Sequence, residues 1–155
     1  MSERFHIRPV RSDDYPQWRP LWDGYNDFYQ RRGPTAVSEE VTRATWERFF
    51  DPVEPMGAFV AEDRAEGGLA GLTHYLYHRH TSRMDLVCYL QDLFTAEGLR
   101  GQGIARRLIN AVYETARAAG SSRVYWQTHV TNARARLLYD QVAEHQGFIV
   151  YVHEL

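Results

Sequence analysis

Hydrophobic and polar positions recur along the chain with two periods. Phe5-His6-Ile7-Arg8-Pro9-Val10 alternates and predicts a short first strand. Ser12-Asp13-Asp14 offers a helix N-cap and an acidic first turn. Trp18, Leu21, Trp22, Tyr25 and Phe28 follow at spacings of three and four, which predicts a helix with one apolar face. Pro20 falls inside that pattern and predicts a kink or a break. Gly33-Pro34 ends the segment, and Ser38-Glu39-Glu40-Val41 opens a second helix running to about Phe50.

Met56 to Glu62 and Leu69 to His78 predict a hairpin, joined by polar residues. Asp85 to Thr95 predicts a longer strand, and its apolar run Leu86-Val87-Cys88-Tyr89-Leu90 suits the centre of a sheet. Ile104 to Ala119 is the strongest helical pattern, with Ile104, Leu108, Val112 and Tyr113 on one stripe and Gly120 as its stop. Val124 to Thr128 predicts a buried strand, Asn132 to His145 a helix, and Phe148 to Val152 a closing strand. The order βααβββαβαβ implies one mixed sheet with helices on both faces, within a single domain spanning residues 1–155.

Composition narrows the chemistry. Hydrophobic residues make up 44% and charged residues 25%, so the chain reads as an ordinary globular domain. No apolar run reaches the ~18 residues of a membrane span, and the N-terminus lacks the apolar core of a signal peptide, so a cytoplasmic location is expected. The single cysteine, Cys88, rules out an internal disulfide and a thiolate metal cluster. All 18 basic residues are Arg. Without Lys there is no P-loop lysine and no Schiff-base mechanism. Residues 1–70 hold 13 acidic residues and nine Arg, whereas residues 71–155 hold seven and nine; two ligands of opposite charge or chance would account for this equally. An isoelectric point near 6.4 argues against nucleic acid as a partner.

The informative stretch is Leu93-Phe94-Thr95-Ala96-Glu97-Gly98-Leu99-Arg100-Gly101-Gln102-Gly103-Ile104-Ala105: a strand, a glycine loop, then the strong helix. The first N–H groups of that helix lack internal partners, and its dipole adds roughly half a positive charge, so the loop suits a phosphate. A dinucleotide fingerprint fails here, because its last small residue falls at Arg106.

Arg100-Gly101-Gln102-Gly103-Ile104-Ala105 instead fits Arg/Gln-x-x-Gly-x-Gly/Ala, and the chain resembles the GNAT superfamily of N-acetyltransferases, whose pyrophosphate-binding motif this is. Asn132-Ala133-Arg134-Ala135-Arg136-Leu137-Leu138-Tyr139 and Gly147-Phe148 also look like that family's later segments. Tyr89 to Thr95, Val124 to Thr128 and Leu21 to Tyr29 resemble the yeast histone and polyamine acetyltransferase branch. The resemblance implies an α/β (α+β) GNAT fold, a mixed and mostly antiparallel sheet flanked by helices, with splayed strands forming a slot for acetyl-CoA. It also implies an amine acceptor and a homodimer.

By the same resemblance, backbone at Leu93, Phe94 and Thr95 pairs with the cofactor arm, Gly101 to Arg106 hold the pyrophosphate, and Asn132 bonds the arm unless it serves only as a helix N-cap. Arg106 or Arg107 could reach the 3′-phosphate, although Arg107 reads better as a solvated face. Tyr139 matches the family's proton donor. Roughly one lysine-type amine in 2,500 is neutral at pH 7, so the acceptor proton must also be handled. Polyamine acetyltransferases commonly carry Glu where this chain has Gln91, which cannot accept a proton. Asp92 is the neighbouring candidate, but on a regular strand it points to the opposite face unless a bulge turns it. Base catalysis is therefore expected to be indirect, with Asp92, a structural carboxylate or a water chain as alternatives.

For the acceptor, Asp23, Tyr25, Asp27 and Tyr29 on the first helix combine carboxylates with aromatic faces suited to a cationic amine. A polyamine-like molecule or a protein lysine is favoured; an amino acid, an antibiotic or a weakly active CoA-binding sensor are the alternatives. His74, His78 and His80 fall at even positions but read as strand histidines rather than a metal site, and Cys88 reads as a buried thiol.

Overall fold

Strand β1 (Phe5–Pro9) pairs with β2 (Met56–Asp63), β2 with β3 (Leu69–His78), and β3 with β4 (Val87–Thr95), all antiparallel; β4 then pairs in parallel with β5 (Val124–Tyr125). This five-stranded sheet, in the order β1-β2-β3-β4-β5, is the spine of the computed structural model, which describes residues 3–155. Helices α1 (Tyr15–Phe28) and α2 (Glu39–Arg48) cover one face. The opposite face carries α3 (Ile104–Ala118), with α4 (Ala133–Val142) beside it. Among the described residues, no helix is long and apolar enough to cross a membrane.

Each face has its own core. Trp18, Leu21, Trp22 and Tyr25 of α1 pack with Trp46 of α2 on Val60 and Leu72. Ile104 and Leu108 pack on Phe5, Ala61 and Ala70, while Ile109, Val112 and Ala116 pack on Cys88 and Leu90. Cys88 is buried, and burial pushes its thiol up to about 12, as expected for an unreactive core cysteine.

Helix α1 runs unbroken through Pro20, so the break that this residue could have caused does not occur. Pro20 forfeits one bond to the Pro16 carbonyl, a loss of ~3 kcal/mol. Four buried side chains on the sheet-facing stripe outweigh it, at about 1.5–3 kcal/mol each. The helix entry is pinned by a bidentate Arg8–Asp14 pair at 2.7 and 2.9 Å, and Asp14 also accepts the Arg11 N–H. The Arg8 guanidinium holds the Asp14 carboxyl below its usual range.

Two strand expectations fail in an instructive way. The strand expected over Val124 to Thr128 pairs only at Val124 and Tyr125, opposite Cys88 and Tyr89. The register of β3 on β4 shifts just beyond: His74 opposes Asp92 and Tyr75 opposes Leu90, leaving Gln91 as the extra residue of a bulge. A bulge bends its strand and ends pairing on the outer side. Beyond it, β4 and the chain after β5 diverge, which opens the splayed slot.

The closing strand expected at Phe148 to Val152 makes no ladder within the chain. Its residues lie open to solvent, with Phe148 at 83% and Tyr151 at 88% exposure. A lone strand without a neighbouring edge gains no ladder bonds and does not form a sheet.

Candidate active site

The bulge at Gln91 decides which way the chemistry-bearing residues face. Before it, Cys88 and Leu90 pack toward α3. After it, Asp92 meets His74, and Phe94 packs on α1, so the even positions have changed faces. Gln91 and Asp92 consequently line one cavity of about 270 Å³, together with Trp22, Arg31, Val37, His74 and Leu76. Asp92 is 7% exposed, and its Oδ2 accepts from His74 Nδ1 at 2.8 Å. Burial, and then the facing Asp92 carboxylate, push the Tyr25 phenol well above its usual range. Arg31 lies over the rings of Tyr25 and Tyr29, at 5.5 and 5.3 Å.

The other residues expected to hold the acceptor are placed differently. Asp23 is paired with Arg19 and Asp27 with Arg32, both on the exposed side of α1. They line an adjoining hollow with Asn26 and Ala36, which shares Trp22, Arg31 and Val37 with the first cavity. Tyr25 is buried and Tyr29 exposed, their rings tilted with centroids 5.0 Å apart, so the four candidates do not form one constellation.

At the end of β4 the backbone of Leu93, Phe94 and Thr95 lies on the splayed side of the sheet. Thr95 Oγ1 is buried and has no partner among the described residues. Such an orphaned hydroxyl fits a site meant to receive a polar ligand. Gly24 lets α1 settle on Phe94, because a Cβ there would come within 2.9 Å of the ring.

The loop then turns through a 3-10 segment, Glu97–Leu99, and enters α3 with Gly101 at φ 79° and Gly103 at φ 81°. Both glycines adopt a backbone that other residues resist, and the space around each is open. No side chain caps α3, so the N–H groups around Ile104, Ala105 and Arg106 are available to an anion. Gln102 is exposed on this loop. Arg100 turns back instead, donating to the Thr95 carbonyl at 3.4 Å and lying over Phe28 and Phe94. Arg106 bonds Gln141 of α4, and Arg107 bonds the Phe5 carbonyl and Glu3. Arg106 is thus near the slot, whereas Arg107 ties α3 to β1.

Asn132 precedes α4 but does not cap it through its side chain; its Nδ2 donates to Thr128 Oγ1 at 3.1 Å. Tyr139 projects from α4 onto Trp126, with ring centroids 5.4 Å apart, where the chain has left β4. Burial raises its phenol to about 12.

Residues 18–144 match the model of the acetyltransferase (GNAT) family. The chain belongs to that family. It is an N-acetyltransferase, with acetyl-CoA as the cofactor that GNAT membership implies, and the glycine loop, the uncapped helix and the Thr95 hydroxyl fit such a donor.

The D-amino-acid N-acetyltransferase HPA3 of Saccharomyces cerevisiae is 33% identical over 97% of this chain and 91% of its own length. The uncharacterized N-acetyltransferase YhfO of Bacillus subtilis is 29% identical over 94% and 95%. The solved structure of AAC(6')-Iy with the bisubstrate analogue CoA-S-monomethyl-acetylneamine shares the fold, with a TM-score of 0.82 over 99% of each chain at 17% identity.

Sequence reasoning passed over three residues that the fold brings to this cavity or against its wall. Arg31, just after α1, had only charge to mark it. Trp18 looked like core, and His74 like a strand histidine. In the fold, Trp18 Nε1 donates to His74 Nε2 at 3.0 Å, and His74 reaches Asp92. His78 and His80 lie apart, bonded to Tyr125 and Ser82.

Proposed function

We propose that this enzyme acetylates the amine of a small zwitterion of the amino-acid class. The observation that carries this reading is the pairing of Arg31 and Asp92 on one small cavity, a cation and a carboxylate with few other charges. Arg31 would hold the acceptor carboxylate and Asp92 its ammonium. Asp92 takes up the proton released as the nitrogen attacks. Tyr139 donates to the departing sulfur, and Gly101 to Arg106 with Leu93, Phe94 and Thr95 hold the donor in the slot. Acetyl-CoA supplies the thioester carbonyl that the nitrogen attacks; the bound ammonium gives up two protons in all, one that in net ends on the departing sulfur and one that passes through Asp92 to solvent. The D-amino-acid acetylation for which the yeast relative is named supports the same acceptor class.

A polyamine or a protein lysine is the other reading, and the Tyr25 and Tyr29 faces favour it. Those faces already carry Arg31, whose charge opposes a polycation.

Thiol release from acetyl-CoA decides between them, measured with L- and D-amino acids, their amides, spermidine and a lysine peptide. Amino acids are expected to be turned over best. Arg31→Gln is expected to raise KM for an amino acid about 10–100-fold, and to leave KM for its amide nearly unchanged. Preferred turnover of spermidine, with no effect of Arg31→Gln, would replace this reading by the polyamine one.

A second copy of the chain belongs to the same reading. Phe148 to Val152 is a β-prone apolar segment with no partner strand, and β5 is a short sheet edge. Exchange of these segments between two copies would supply each with an edge. Sedimentation of the wild type as a dimer, and of Val150→Asp as a monomer, is the expected result; a wild-type monomer at micromolar concentration refutes the exchange. The single thiol suits the reducing cytoplasm expected for this enzyme.

A further inference from the structure

Behind the acceptor cavity runs a buried hydrogen-bonded chain that no step above uses. Trp18 Nε1 lies 3.0 Å from His74 Nε2, and His74 Nδ1 lies 2.8 Å from Asp92 Oδ2. His74 is 2% exposed and is enclosed by the rings of Phe49, Trp22 and Trp18, at 4.7, 5.4 and 5.8 Å.

The order of donors in this chain follows from chemistry. An indole N–H can only donate, so the His74 nitrogen facing it must present its lone pair. A neutral imidazole carries one N–H, which therefore sits on Nδ1. That N–H donates to Asp92, so Oδ2 is an acceptor. A second proton on Nε2 would set N–H against N–H and break the bond to Trp18. We propose that Trp18 and His74 are positioning residues for Asp92: the indole selects the imidazole tautomer, and the imidazole aims the carboxylate at the acceptor amine.

The proposal rests on the assignment of Asp92 to the amine and adds a consequence. A proton taken up by Asp92 has no inward route, because Nδ1 is already protonated and Nε2 is covered. It must leave through the cavity. The charged and titratable groups facing this pair are few. From α1 come Trp18, Trp22 and the Tyr25 phenol, with Tyr29 and Arg31 just after it, and from β4 the Tyr89 phenol. Phe49, following α2, and Ala58 of β2 add no charge.

Three variants and one spectroscopic measurement test this. Nitrogen-15 shifts of His74 in the wild-type enzyme are expected to report the neutral Nδ1–H tautomer at pH 7. Trp18→Phe keeps an aromatic ring but frees Nε2. Its His74 is expected to lose the preference for the Nδ1–H tautomer, and its kcat/KM for the amine to fall. His74→Leu is expected to lower kcat/KM by about 10–100-fold without moving KM for acetyl-CoA. His74→Asn keeps a donor near the Nδ1 position and is expected to restore most of that loss.

An Nε2–H tautomer at His74 in the wild type at pH 7 would overturn the proposal even if no variant folds. So would a His74→Leu enzyme that melts normally and retains full activity while Asp92→Asn is inactive. Full activity in Asp92→Asn, with the tautomer as expected, would instead overturn the assignment of Asp92.

Discussion

Replacing Tyr139 by Phe is expected to lower kcat by on the order of 10²–10³-fold, with KM for acetyl-CoA nearly unchanged. The phenol sits on Trp126 at the mouth of the slot, and burial lifts it to about 12. A thiol of ordinary acidity titrates near 8.5, so the departing sulfur is a weaker base than the phenolate. In its proposed role Tyr139 stabilises the leaving thiolate as a hydrogen-bond donor more than by surrendering its proton. Its raised value keeps the donor intact throughout the neutral and mildly alkaline range, so no alkaline loss of rate should come from it. The hydroxyl donates to no other described residue, and removing it should leave the melting temperature close to that of the wild type. Steady-state kinetics with saturating amine would read the effect. A Phe variant retaining most of its turnover would leave Tyr139 as packing on Trp126.

Asp92→Asn is expected to lower kcat/KM for the amine at pH 7 by about 10²–10⁴-fold, the usual worth of a positioned acid or base. Asn has the same shape and its oxygen can still accept from His74, so the buried chain and the fold should survive. The variant loses the charge that draws in the ammonium and the oxygen that receives its proton. The neutral fraction of an amine rises about tenfold per pH unit below its own pKa, so the variant should recover part of its rate in alkali. The wild type should show less of that dependence. A variant within a few-fold of wild type at every pH would return the proton to a water chain, the indirect route that Gln91 in place of Glu suggests.

Much of the GNAT fold is legible in local pattern. Periods of two and of three to four place β1 to β4 and all four helices to within a few residues, because burial of one face is a local requirement on each element. The cofactor loop is legible as well. Gly101 and Gly103 precede a strong amphipathic helix, and both take the left-handed backbone that glycine permits. The elements that misled are those whose outcome depends on a neighbour. Pro20 lies in a helix that packing holds together. Phe148 to Val152 has strand composition but no edge to join.

The sequence by itself determined the family, and it supplied the glycine loop and the tyrosine on the last helix that the proposed donor site uses, since these depend on residue type at fixed local spacing. The tertiary structure decided the acceptor side. Asp23 and Asp27 share a helix with Tyr25 but end in surface ion pairs, while Arg31, His74 and Asp92 come from separate elements to one cavity wall. One extra residue, Gln91, reverses the facing of all that follows in β4, and so turns Asp92 toward His74 and the cavity. A bulge belongs to the register between two strands, and register is set by the packing of both sheet faces rather than by the order of residues in either strand.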